Sequence, residues 1–250
     1  MPHPVLHLSL AKTLADQLTL ADIQADRGAF FLGSTAPDMR LVTHVDRSQT
    51  HFFQLNNFEH QDSVARMFET HPELRDRAKL NTPTAAFLSG YMTHLILDEG
   101  WIGEVYRPLF GERSPLKNTQ RANVMDRVMQ FELDRQRRDD CETLDQIRAD
   151  VAATALEVLV GFLDQESLQR WRELNIGFLK VPPTWERFRV VADMHLREYG
   201  ISTPEEVDAL MAEVPQILQE AVDYVGWDRI KHFIDAAARR SAAQIKEYLA

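Results

Sequence analysis

Five residues in the first hundred of this chain are suited by type and spacing to hold a cation or move a proton: His7, Asp38, His51, His94 and Asp98. The sharpest pair is His94 and Asp98, inside the stretch 85–101, AAFLSGYMTHLILDEGW. The stretch is strongly apolar and reads as a helix, on which residues four apart share one face. An imidazole and a carboxylate facing one way out of an apolar helix must be satisfied by something. A divalent metal does this, because it draws neutral nitrogen and anionic oxygen donors together at short range. A buried His–Asp hydrogen bond does it too, and the helix alone leaves both open. Gly90 lies a turn before His94 on the same face, where the lack of a side chain lets another segment come close.

Composition narrows the chemistry. The chain has 250 residues, 44% hydrophobic and 26% charged, as in ordinary globular proteins. A net charge of −10 argues against nonspecific binding to nucleic acid or to an anionic membrane surface. Cys141 is the single cysteine, so no intrachain disulfide or thiolate cluster can form, and a metal must be held by histidines and carboxylates. Such ligands suit zinc, and also iron or manganese. The N-terminus lacks the basic start, long apolar run and small-residue cleavage site of a secretion signal. No apolar run reaches the length of a membrane span, and the expected location is cytoplasmic.

The elements that must position these residues are helical throughout. Leu6, Leu10, Leu14 and Leu18 recur every four residues and predict a first helix over 6–20, with His7 at its start and His3 a turn earlier. The run 30–38, FFLGSTAPD, breaks at Gly33, and Pro37 ends any helix near Ala36, which sets Asp38 on a turn. Residues 41–53 read as a loop that re-enters the core at Phe52 and Phe53, with His51 facing inward. His60 and His71 are expected to be exposed. Thr82 is the expected N-cap of the central helix, with Pro83 at its first position. A loop is expected over 110–118. Later helices are expected over 120–140 (its charge a solvated face), 143–163, 165–174, 185–199, from Ser202-Thr-Pro-Glu-Glu onward, and 228–248. No strand, hairpin or repeat is evident, and the expectation is an all-α single domain of eight to ten helices over 1–250.

Taken together these residues resemble a known family. A histidine lies near the N-terminus; then follow a GxxxPD turn (Gly33-Ser-Thr-Ala-Pro-Asp38), a histidine before an aromatic (Thr50-His51-Phe52) and a helical FLxGYxxHLxxD (Phe87 to Asp98). The pattern resembles the zinc-dependent phospholipase C family, which extends to the N-terminal domain of glycosylphosphatidylinositol-specific phospholipase D and, distantly, to single-strand-specific zinc nucleases. It spans about residues 1–101. The resemblance implies an all-α fold holding up to three zinc ions. It assigns Asp38, His51 and His94 to one ion, Asp98 as a bridge to a second, and His7 to that second ion. His3 or a terminus at Pro2 is the candidate to complete the second site. For a third ion the family uses a histidine where this chain has Glu104, and a later His/acid pair whose nearest counterpart is His195 with Glu198.

The implied reaction is hydrolysis of a phosphodiester in the manner of phospholipase C, with Asp38 doubling as a base through its second oxygen. The implied substrate is a small phosphate ester or phospholipid, with no long nucleic acid. The alternatives are a metal-binding structural or ligand-binding protein without turnover, and a nucleotidase-like or nuclease-like phosphoesterase.

Overall fold

Why these residues form helices is legible from caps and apolar spacing. The computed structural model describes residues 3–250, apart from the side chains of Met194 and Glu198. The first half comprises α1 (Pro4–Leu18), α2 (Ala21–Ala25), α3 (Arg27–Gly33), α4 (Arg40–Thr43), α5 (Arg47–His51), α6 (Ser63–Thr70), α7 (Thr82–Gly100) and α8 (Arg107–Leu109). The second comprises α9 (Gln120–Arg137), α10 (Cys141–Ala153), α11 (Gln165–Phe178), α12 (Phe188–His195), α13 (Pro204–Val225) and α14 (Trp227–Tyr248). Among the described residues there is no strand, and the fold is all-α. The helices are more numerous than expected because several are only three to five residues long. No helix among the described residues is long and apolar enough to cross a membrane.

Helix α7 is buried almost all round, as a helix with no polar face must be. Helices α1, α2, α3, α6 and α14 pack on it. Its N-cap is Asn81, whose side chain accepts from the Thr84 amide at 3.0 Å, so the cap lies one residue earlier than expected. Gly100 does not end the winding. The chain continues through a π-helical stretch, Trp101–Tyr106, into α8 before the expected loop at 110–118.

Helix α9 corrects a second expectation. Its stripe Val124, Val128 and Phe131 is buried, but so are Asn123, Asp126, Gln130, Glu132 and Asp134. Neighbours cover it on more than one side: α1, α12 and α13. Buried polar groups must then be paired. Asp134 accepts from the Val5 amide and from Arg138 Nε, both at 2.8 Å, which ties the start of α1 to the end of α9. Replacing Asp134 with alanine strands the buried guanidinium and the Val5 donor. We expect a loss of about 3 kcal/mol, read from the chemical-denaturation midpoint.

The helix expected over 143–163 stops at Ala153. Beyond it Leu156, Val158 and Val160 are buried while Glu157 and Leu159 are exposed. That alternation has period two and belongs to extended chain. The helix expected over 185–199 is also broken, into the 3₁₀ turn Trp185–Arg187, α12 and the 3₁₀ turn Arg197–Tyr199. It ends as expected at Gly200, whose φ is +83°.

Candidate metal centre

The site is built where α3 crosses α7. Gly90 of α7 and Gly33 of α3 meet the other helix's backbone reciprocally. A Cβ on Gly90 would lie 1.9 Å from the Phe30 carbonyl oxygen, and one on Gly33 would lie 2.0 Å from that of Phe87. This approach brings the Ser34 carbonyl to within 2.9 Å of His94 Nδ1. A carbonyl only accepts, so Nδ1 carries the proton and the Nε2 lone pair is free to face the other way.

Asp38 stands on the 3₁₀ turn Ala36–Met39 that follows α3, as the Pro37 break predicts. His51 closes α5, buried beside Phe52 and Phe53 as expected. Its Nδ1 lies 2.9 Å from the Thr50 hydroxyl, which itself reaches the Arg47 carbonyl. With that hydroxyl donating to the carbonyl, His51 Nδ1 donates to the hydroxyl, and its Nε2 is also left as an acceptor. The Tyr91 hydroxyl holds this segment to α7 by donating to the Thr50 carbonyl.

The five side chains then converge. His51 Nε2 lies 3.5 Å from Asp38 Oδ1 and 3.4 Å from Asp98 Oδ2, and His94 Nε2 lies 3.6 Å from Asp98 Oδ2. His7 Nε2 lies 3.5 Å from Asp98 Oδ1, and the His7 ring stacks on His94 with centroids 3.9 Å apart and planes 9° apart. The Nε2 atoms of His7, His51 and His94, and Asp98 Oδ1, are buried with no hydrogen-bond partner. Unpaired buried donors and acceptors are rare and call for a missing partner. These separations are long for hydrogen bonds but close to the edge of a zinc tetrahedron, about 3.3 Å for ligands about 2.05 Å from the ion. Two donor groups result, His7/His94/Asp98 and Asp38/His51/His94, each with its ligand atoms within 4.8 Å of one another. Asp98 turns Oδ1 to the first group and Oδ2 to the second.

Charge fits the same donors. Burial works against an ionised Asp98, but the positive charge favoured on its neighbour His94 and the close approach of the His51 and His7 rings hold it well below the usual carboxylate range. Asp38 is likewise held low, its burial outweighed by the nearby His51 ring and the positive charge favoured on His94. Burial, reinforced by the charge of His94, pulls His7 down to about 4, so its ring stays neutral and able to ligate. Burial works against a charged His94, but the carboxylates of Asp98 and Asp38 raise it above the usual imidazole range, and a zinc ion would supply positive charge in place of that proton.

Arg47 is the residue that sequence reasoning missed. Its guanidinium donates to Asp98 Oδ2 at 3.2 Å. The signal was present: Arg47 lies four residues before His51, on the same face of α5.

The additional candidates stand elsewhere. Glu104 is exposed and ion-paired with Arg240, because the π-helical winding carries it away from Asp98. It is not part of the cluster, and Glu104→Gln is expected to leave metal content unchanged and stability within about 0.5 kcal/mol. His3 and His195 belong to neither donor group; both line a cavity that Asp38 also borders. His195 ends α12 there, and burial, with the Arg127 charge, lowers it to about 4. The Glu198 side chain and Pro2 lie outside the described residues. His60 is exposed as expected, but His71 is half-buried, its ring 4.5 Å from that of Phe162. The stretch at 154–164, irregular rather than helical and turning at Leu156 and Gly161, is what places Phe162 there.

A helical protein with a buried His/Asp donor cluster is thus the class that fold and site define. Residues 6–99 match the family model described as zinc dependent phospholipase C. The matched stretch contains all five clustered residues and ends just past Asp98. No curated protein and no solved structure matches the chain.

Proposed function

We propose that the protein is a zinc-dependent hydrolase of phosphate esters that cleaves phosphodiesters in the manner of phospholipase C. The observation that carries this reading is the convergence of unpartnered Nε2 atoms from His7, His51 and His94 on the carboxylates of Asp98 and Asp38. The family match supports zinc as the ion. When bound, such an ion supplies Lewis acidity and a water of lowered pKa.

The chain's own residues supply the rest. Ser34 and Thr50 fix the tautomers of His94 and His51, so their Nε2 lone pairs are presented without reorganisation. Asp98 links the two donor groups and sets their spacing. Asp38 is the member that opens on the neighbouring cavity, so its second oxygen is placed to take the proton of an attacking water. Arg47 offsets the negative charge that the buried Asp98, the half-buried Asp38 and a phosphate would bring together. With Glu104 turned away, this reading gives one or two ions rather than three.

The test is metal content by mass spectrometry on protein with an untagged N-terminus, supplied with zinc, iron and manganese. It is paired with hydrolysis of bis(p-nitrophenyl) phosphate and of a short-chain phospholipid. Zinc with chelator-sensitive hydrolysis supports the reading. Zinc without hydrolysis would leave a structural site, and no bound metal would sink the mechanism.

A further inference from the structure

A cavity of about 380 Å³ adjoins the centre and shares Asp38 with it. Its wall is rich in guanidinium groups: Arg40, Arg47, Arg127, Arg138 and Arg187. Some of that charge is already matched. Arg138 pairs with Asp134, and Arg47 pairs with Asp98. Arg40, Arg127 and Arg187 have no hydrogen bond or ion pair among the described residues. Arg40 Nε is in addition a buried donor with no partner. The remaining lining holds Asp38, Asp134, His3 and His195 among apolar side chains such as Phe131, Phe178 and Val191, and the apolar part strengthens charge pairing inside. A buried donor left unsatisfied, as Arg40 Nε is, is unfavourable until an acceptor arrives, and planar guanidinium matches phosphate and carboxylate oxygens in pairs.

We infer that this cavity is a subsite for a second anionic group on the substrate, gripped by Arg40, Arg127 and Arg187. The inference rests on the phosphoesterase reading and narrows it. The ester that is cleaved carries a further phosphate or carboxylate on its head-group side, rather than a cationic amine. An ammonium group placed among three unmatched guanidiniums would be repelled. The size suits one small phosphorylated group beside the centre, near the lower end of ordinary ligand pockets.

The test compares equilibrium binding of propyl phosphate with that of propane-1,3-diol bisphosphate to the full chain, by calorimetry. The bisphosphate is expected to bind at least about tenfold more tightly, the effect of one additional charge-assisted contact. Arg40→Met/Arg127→Met is expected to abolish that ratio while keeping zinc content and the melting temperature. A ratio near one in the wild-type protein overturns the inference without any variant, as does a ratio that survives both substitutions. If the double variant fails to fold, Arg187→Met is compared in its place. In a protein that binds no zinc the hydrolase reading fails, and the cavity is then read from binding of propyl phosphate itself, which Arg40→Met/Arg127→Met should abolish, so the two failures are separable. Co-sedimentation with phosphatidylcholine vesicles containing a fifth of cardiolipin, which carries two phosphodiesters, distinguishes the source. Capture there assigns a membrane lipid, and binding of the soluble bisphosphate alone assigns a soluble ester.

Discussion

Adding one methyl group at Gly90 is expected to dismantle the metal centre and destabilise the protein together. The new Cβ would sit 1.9 Å from the Phe30 carbonyl oxygen and 2.8 Å from the Ser34 amide nitrogen. Both are backbone atoms of the α3 end, so no side-chain rotation relieves the clash. Helix α3 must move away from α7, and the Ser34 carbonyl that orients His94 moves with it. We expect Gly90→Ala to lower stability by about 3 kcal/mol or more, at the upper end for an overpacked core. Zinc content should fall with it, because Asp38 follows the same segment. Gly103→Ala is the control: nothing lies within 4 Å of a Cβ there. Denaturation midpoints and metal analysis of the two variants decide the matter. A Gly90→Ala protein with the wild-type midpoint and full zinc would contradict the close-approach account.

The second large effect is expected at His94, the residue common to both donor groups. His94→Ala removes a nitrogen from each, so zinc should fall close to zero and phosphodiester hydrolysis by about 10³-fold or more. Asp98→Asn separates function from framework. It nearly preserves shape but withdraws the anion from Arg47, whose side chain is only 12% exposed. A buried guanidinium deprived of a charged partner destabilises by about 3 kcal/mol. The chelator-treated Asp98→Asn protein should therefore unfold earlier than chelator-treated wild type. Full zinc and full activity in His94→Ala would refute the assignment of the centre.

Much of the centre was legible because its residues obey local rules. His94 and Asp98 share a face at i and i+4, Pro37 forces the turn that carries Asp38, and Gly90 marks a crossing. His51 was placed inward by Phe52 and Phe53. What could not be read depends on partners distant in sequence. Ser34 orients His94 only because two glycines let their helices touch. The polar side of α9 looks like a solvent face until α1, α12 and α13 cover it. The π-helical stretch after Gly100 carries no local breaker. The alternation at Leu156, Val158 and Val160 was readable as extended chain, and the stronger helical pattern before it obscured that reading.

The donors of the centre enter from α1, the turn after α3, α5 and α7, stretches spread from residue 7 to residue 98. An ion gripped by all of them is therefore a cross-link that closes several long loops at once. The unfolded chain can satisfy it only by surrendering most of its conformational freedom. Binding confined to the native state adds about 4 kcal/mol when free zinc exceeds its dissociation constant a thousandfold. With zinc as the proposed ion, its supply would govern how long a molecule survives unfolding and proteolysis, whatever the centre does chemically.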